Sequence, residues 1–90
     1  MNSASKTYHV ELSREAAKEL ARLEAKQKQR VNVALFLLRQ NPRPPRSLKL
    51  SNSERYRVRV GDYRIIYSID DGLLRVLALK IRHRKESYRD

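Results

Sequence analysis

Two segments leave the second half of this chain little conformational freedom. Residues 55–60 alternate basic and apolar side chains at every step, and residues 63–69 alternate again after a gap of only Gly61 and Asp62. A strict period of two marks a strand with one face in a core. Two residues between such strands allow only a hairpin, because a parallel return needs a crossover of about a dozen residues or more. Asp70-Asp71-Gly72 signals a second turn, and residues 73–81 are the most apolar of the three segments. These features predict an antiparallel meander of the last three strands, with the 73–81 strand central.

The first half changes period. Residues 7–12 alternate Tyr8, Val10 and Leu12 against Thr7, His9 and Glu11, which predicts a short strand. Ser13 can cap a helix, and Glu15 suits its first turn. Ala16, Ala17, Leu20 and Leu23 then recur at helical spacing, as do Val31, Ala34, Leu35 and Leu38 over a second stretch, Ala25–Gln40. Asn41-Pro42-Arg43-Pro44-Pro45 ends that helix, since proline lacks a backbone donor and disfavours helix in the residue before it. Residues 47–50 read as extended. The expected fold is α+β, in the order β-α-α-β-β-β, with a helical hairpin packed on one face of the sheet. Ninety residues make a single domain, with residues 1–5 flexible and residues 82–90 a basic tail.

Charge narrows the function. Lys and Arg number 21 against 10 acidic residues, a formal net charge of +11 shared by both halves of the chain. Such a surface attracts polyanions, nucleic acid first among them. The absence of cysteine excludes disulfides, thiolate catalysis and Cys-based zinc sites, and two histidines cannot build a His-rich metal site. No metal or cofactor is expected. No apolar stretch nears the ~18 residues of a membrane span, and the N-terminal residues lack the apolar run of a signal peptide. A cytoplasmic location follows as the expectation.

On the hairpin, Tyr56, Val58 and Val60 belong in the core, so Arg55, Arg57 and Arg59 share the other face at intervals of about 7 Å. Arg64 falls beside them across the turn. Like charges this close repel, and guanidinium is well shaped to grip phosphate with paired donors. Spacing alone serves two readings: a phosphate-binding floor, or a solvated sheet face paired with Glu54 or Asp62. The tail adds Arg82, His83, Arg84, Lys85, Tyr88 and Arg89, a mixture of cations and one aromatic ring suited to RNA.

The segment Tyr56-Arg57-Val58-Arg59-Val60-Gly61-Asp62-Tyr63-Arg64-Ile65-Ile66-Tyr67 resembles the signature of the RelE/ParE toxins of bacterial and archaeal toxin–antitoxin pairs. So does the ending Ile81-Arg82-His83-Arg84-Lys85-Glu86-Ser87-Tyr88-Arg89. The likeness extends over nearly the whole chain, and the combination of the two motifs is more specific than either alone. It implies a RelE-like fold and a metal-independent, ribosome-dependent endoribonuclease, an mRNA interferase, in which the 2′-hydroxyl of the RNA attacks the adjacent phosphate in the ribosomal A site. It also implies a cognate RelB-like antitoxin as partner, with the ribosome and mRNA as targets.

Carried onto this sequence, the resemblance makes Arg57 and Arg59 the two basic positions of the active strand. Arg64 would stabilise the phosphorane, Arg84 would neutralise the leaving 5′-oxygen, and Tyr88 would stack on the nucleotide and help activate the 2′-hydroxyl. The first two positions are often Lys in relatives. Arg stays charged in proteins, so His83 or a Tyr88 phenolate becomes the candidate general base. Two other readings compete: a ParE-type inhibitor of DNA gyrase, and an RNA-binding module without catalysis.

Overall fold

The computed structural model describes residues 7–86. Its elements are β1 (His9–Leu12), α1 (Arg14–Ala21), α2 (Ala25–Gln40), β2 (Leu48–Lys49), β3 (Arg55–Val60), β4 (Tyr63–Asp70) and β5 (Arg75–His83), followed by a single 3-10 turn, Arg84–Glu86. The five strands form one sheet in the order β1-β5-β4-β3-β2. β3, β4 and β5 are the expected antiparallel meander, and β1 adds in parallel beside β5. The extended segment at 47–50 contributes only the two-residue β2 on the other edge. The 73–81 strand was expected to be central. It is interior, because β1 pairs along its outer side, but β4, the second strand of the meander, is the middle one. The loose segment expected at residues 1–5 and the end of the basic tail lie outside the described residues.

The β3–β4 turn needs its glycine. Val60 pairs directly with Tyr63, so Gly61 and Asp62 alone reverse the chain, and Gly61 has φ +59°. A side chain is disfavoured there, and an added Cβ would also come within 3.3 Å of the Arg30 guanidinium.

Ser13 caps α1 as its position suggests. Its Oγ accepts from the Ala16 amide at 3.0 Å and donates to the Leu79 carbonyl at 2.8 Å, so one hydroxyl closes the helix and ties it to β5. α2 buries Val31, Leu35 and Leu38 against Tyr8, Val58, Ile65, Tyr67, Val76, Ala78 and Ile81, while Ala34 is only half-buried. Each fully buried aliphatic side chain contributes about 1.5–3 kcal/mol. The opposite side of α2 carries apolar residues that periodicity did not single out: Val33, Phe36 and Leu37 are all more than half exposed.

Candidate nucleic-acid interface

Strand register assembles the basic face. Arg59 stands opposite Arg64, and Arg64 stands opposite Arg82 on β5. On the other side of β3, Leu48 pairs with Arg57. Arg46 precedes β2, in the turn closed by the Ser47 amide donating to the Pro44 carbonyl. Arg59, Arg64 and Arg82 thus lie in a row across the sheet, at strand intervals of about 4.8 Å. Arg46, Arg57, Arg59 and Arg64 line a single groove of about 420 Å³, walled by Pro45, Ser47 and Leu48.

Counter-charge is distributed unevenly along this row. Arg82 pairs with Glu15 and with Glu19 of α1, the latter at 2.7 Å. Arg84 faces Asp62 at 3.6 Å, and Arg43 grips Asp71 at 2.9 Å. Among the described residues, no ion pair involves Arg46, Arg57 or Arg59, and none involves Glu54. The fold therefore does not pair Arg57 or Arg59 with Glu54 or Asp62, the counter-charges suggested for a solvated sheet face. One further residue of this face is unexpected. Ile66 is fully buried yet stands apart from the main core. Its register neighbours are Arg57 and Lys80, both half-buried, and long side chains of this kind can cover an apolar neighbour with their aliphatic stems.

The loop carrying Arg46 is tightly anchored. The Tyr67 hydroxyl donates to the Pro42 carbonyl at 2.7 Å, and burial pushes the Tyr67 phenol up to about 12. Arg43 donates to both Asp71 oxygens, at 2.9 and 3.3 Å, and through Nε to the Tyr56 hydroxyl at 3.1 Å. Its guanidinium lies 5.4 Å from the centroid of the Tyr56 ring, which stacks on Tyr67. Tyr8 donates to Asp71 at 2.6 Å, and this bond to a carboxylate, reinforced by burial, raises the Tyr8 phenol above its usual range. Ser47 closes the loop by donating its amide and its hydroxyl to the Pro44 carbonyl.

Of the residues singled out in the sequence, Arg57, Arg59 and Arg64 are brought together in the groove. Arg84 is held at the turn end of the same hairpin, its amide donating to the Asp62 carbonyl at 2.7 Å, but it does not line the groove. His83 is placed elsewhere. It pairs with Tyr63, whose ring it meets edge-on at 5.2 Å. It borders a recess with Glu19, Arg22 and Leu23 on the helix side of the sheet. The residue parity of β5 shifts at a bulge opposite Ile66/Tyr67, so the face taken by the end of the strand could not be counted from the chain. Tyr88 lies outside the described residues. Arg46 was missed, because it lies in a turn, where no periodicity shows which groove it joins. Among the described residues, no cluster of three or more His, Asp or Glu could hold a metal ion, and no helix is long and apolar enough to cross a membrane.

A helical layer packed on the sheet and a groove lined by Arg46, Arg57, Arg59 and Arg64 define a small α+β protein with a basic face. Residues 10–88 match the family described as ParE toxin of type II toxin-antitoxin system, parDE, and the chain belongs to this RelE/ParE superfamily of toxins. It is similar to Toxin RelE of Mycobacterium tuberculosis (strain ATCC 25618 / H37Rv), with 37% identity over 84 residues, covering 91% of this chain and 87% of that protein. Among solved structures it resembles a chain of the archaeal RelE-RelB complex from Pyrococcus horikoshii OT3. The TM-score is 0.79 at 29% identity, over 90% of this chain and 99% of that one. A chain of the toxin-antitoxin complex RelBE2 from Mycobacterium tuberculosis gives a TM-score of 0.76 at 26% identity, over 89% and 94% of the two chains.

Proposed function

We propose that this toxin is a ribosome-dependent, metal-independent endoribonuclease that cuts mRNA in the A site, acts in the cytoplasm and is silenced by a RelB-like antitoxin. The observation that carries the reading is the convergence of Arg57, Arg59 and Arg64 on one groove, with Arg57 and Arg59 given no counter-ion by the described fold. A fold gains nothing from such repulsion unless a bound anion relieves it.

The chemistry such a groove supports is transesterification. The 2′-oxygen attacks the adjacent phosphorus, its proton passes to a base, and the P–O5′ bond breaks. The leaving oxygen then takes up a proton, giving a cyclic phosphate and a 5′-hydroxyl. Negative charge grows at phosphorus on the way, and preplaced cations stabilise it differentially. Arg64, half-buried on the middle strand, takes the phosphorane oxygens, with Arg57 and Arg59 beside it. Arg84 neutralises the leaving oxygen from its seat on Asp62. The base role is assigned to Tyr88, as the family resemblance implies, because a phenol can lose its proton where a guanidinium does not. His83, facing α1, receives no catalytic role.

An antitoxin partner is supported by the relatives, since the Pyrococcus and Mycobacterium structures are themselves RelE-RelB and RelBE2 toxin-antitoxin complexes. The exposed apolar side of α2, Val33, Phe36 and Leu37, offers an amphipathic segment a seat close to the basic groove. The ParE name of the matched family favours one second reading, a gyrase inhibitor without RNA chemistry. Incubating the toxin with mRNA, with and without translating ribosomes, and in parallel with gyrase, separates them. New 5′-hydroxyl ends that require ribosomes support the nuclease; loss of supercoiling activity with intact mRNA supports the second reading.

A further inference from the structure

We propose that Arg46 is a phosphate-binding residue that holds the RNA backbone next to the scissile linkage and so sets substrate affinity rather than the rate of bond breaking. The inference rests on the nuclease reading for its substrate, and on geometry of its own for the contact. Arg46 sits in the turn at residues 44–47 just before β2 and lines one groove with Arg57, Arg59 and Arg64. It enters that groove from the loop at the β2 edge of the sheet, whereas Arg64 stands on the middle strand, a placement suited to neighbouring phosphates rather than the same one. Arg46 also borders the neighbouring apolar groove of about 550 Å³ with Leu37, Pro44 and Val58, so it stands at the lip where a strand would leave the basic floor.

Three observations favour an anionic ligand over a structural role. The side chain is exposed, and among the described residues it forms no ion pair. The loop beneath it is held by structure that does not include it: the Tyr67–Pro42 bond, the Arg43–Asp71–Tyr8 network and the Ser47–Pro44 closure. Pro42, Pro44 and Pro45 restrict that backbone further, so presenting the guanidinium costs little ordering on binding.

The test compares wild type with Arg46→Met, which keeps an apolar stem and removes the charge, and with Arg46→Lys, which keeps the charge. Two readouts are needed: kcat and KM for ribosome-bound mRNA, and affinity for a fully 2′-O-methylated single-stranded RNA, which cannot be cut, across a salt series. Arg46→Met should raise KM and weaken the oligonucleotide about tenfold, leave kcat within about threefold, and lower the salt slope by roughly 0.7. Arg46→Lys should restore most of both. Unchanged oligonucleotide affinity and slope in Arg46→Met would overturn the inference, whether or not the wild type cleaves. So would a fall in kcat at unchanged KM, or a loss confined to binding an acidic protein partner. A wild type that binds the oligonucleotide but never cuts ribosomal mRNA would instead overturn the nuclease reading, and the salt slope would still decide Arg46.

Discussion

Arg64 occupies the middle strand, flanked in register by Arg59 and Arg82, so a guanidinium there faces charge from both sides without forming any part of the apolar core. Replacing it with Ala should cost ~10²–10³ in cleavage rate, the usual effect of removing one donor aimed at developing charge. Circular dichroism should show a thermal midpoint close to that of the wild type. Tyr67 gives the opposite profile, structural and remote from chemistry. An unfolded Tyr ionises near 10, whereas burial pushes this one up to about 12, so the folded state holds its proton longer than the unfolded one. Its contribution to stability is therefore complete below pH 10 and is lost as pH rises from 10 to about 12, a loss on the order of 2 kcal/mol. Urea unfolding across that range should show the decline in wild type and a shallower one in Tyr67→Phe.

Much at the level of elements was legible in the sequence. The hairpin followed from Gly61-Asp62 between two alternating segments, α2 from its 3.6-residue period ended by Asn41-Pro42, and the cap from Ser13. What was not legible depended on pairings between distant segments. The interior position of β5 required β1 to pair beside it. The side taken by His83 required the bulge in β5. Arg46 required the packing of the turn at residues 44–47 against the hairpin. Local turn chemistry makes a firm prediction: Gly61→Ala should destabilise the protein by about 1 kcal/mol, read as a lower denaturant midpoint at unchanged slope. The loop network predicts a separation of effects. Asp71 and Arg43 are both about half exposed, so Asp71→Ala should lower global stability by less than about 1 kcal/mol. Freed from its clamp, the loop should nonetheless show faster amide hydrogen exchange at Arg43, Arg46 and Ser47, with weaker RNA binding.

For the molecule as a whole, the question is how much of the +11 charge serves function. If the entire excess acted as a diffuse polycation, the slope of log affinity against log salt on single-stranded RNA would approach about −8. If binding runs through the groove, with its four arginines, the slope should be near −3. Arg82 is paired with Glu15 and Glu19, Arg84 with Asp62 and Arg43 with Asp71, so the net excess is carried by other cations, Arg46, Arg57 and Arg59 among them. The remaining excess still speeds encounter with a polyanion such as the ribosome.

Single-turnover cleavage of mRNA on stalled ribosomes, comparing wild type with Arg57→Ala, Arg59→Ala and Arg64→Ala, tests the shared role of the groove most directly. Wild type should produce 5′-hydroxyl ends at the A-site codon, and each substitution should slow that step, Arg64→Ala by ~10²–10³, while ribosome binding persists. Parent-rate cleavage by all three variants would mean that this basic face is not where the phosphodiester is broken.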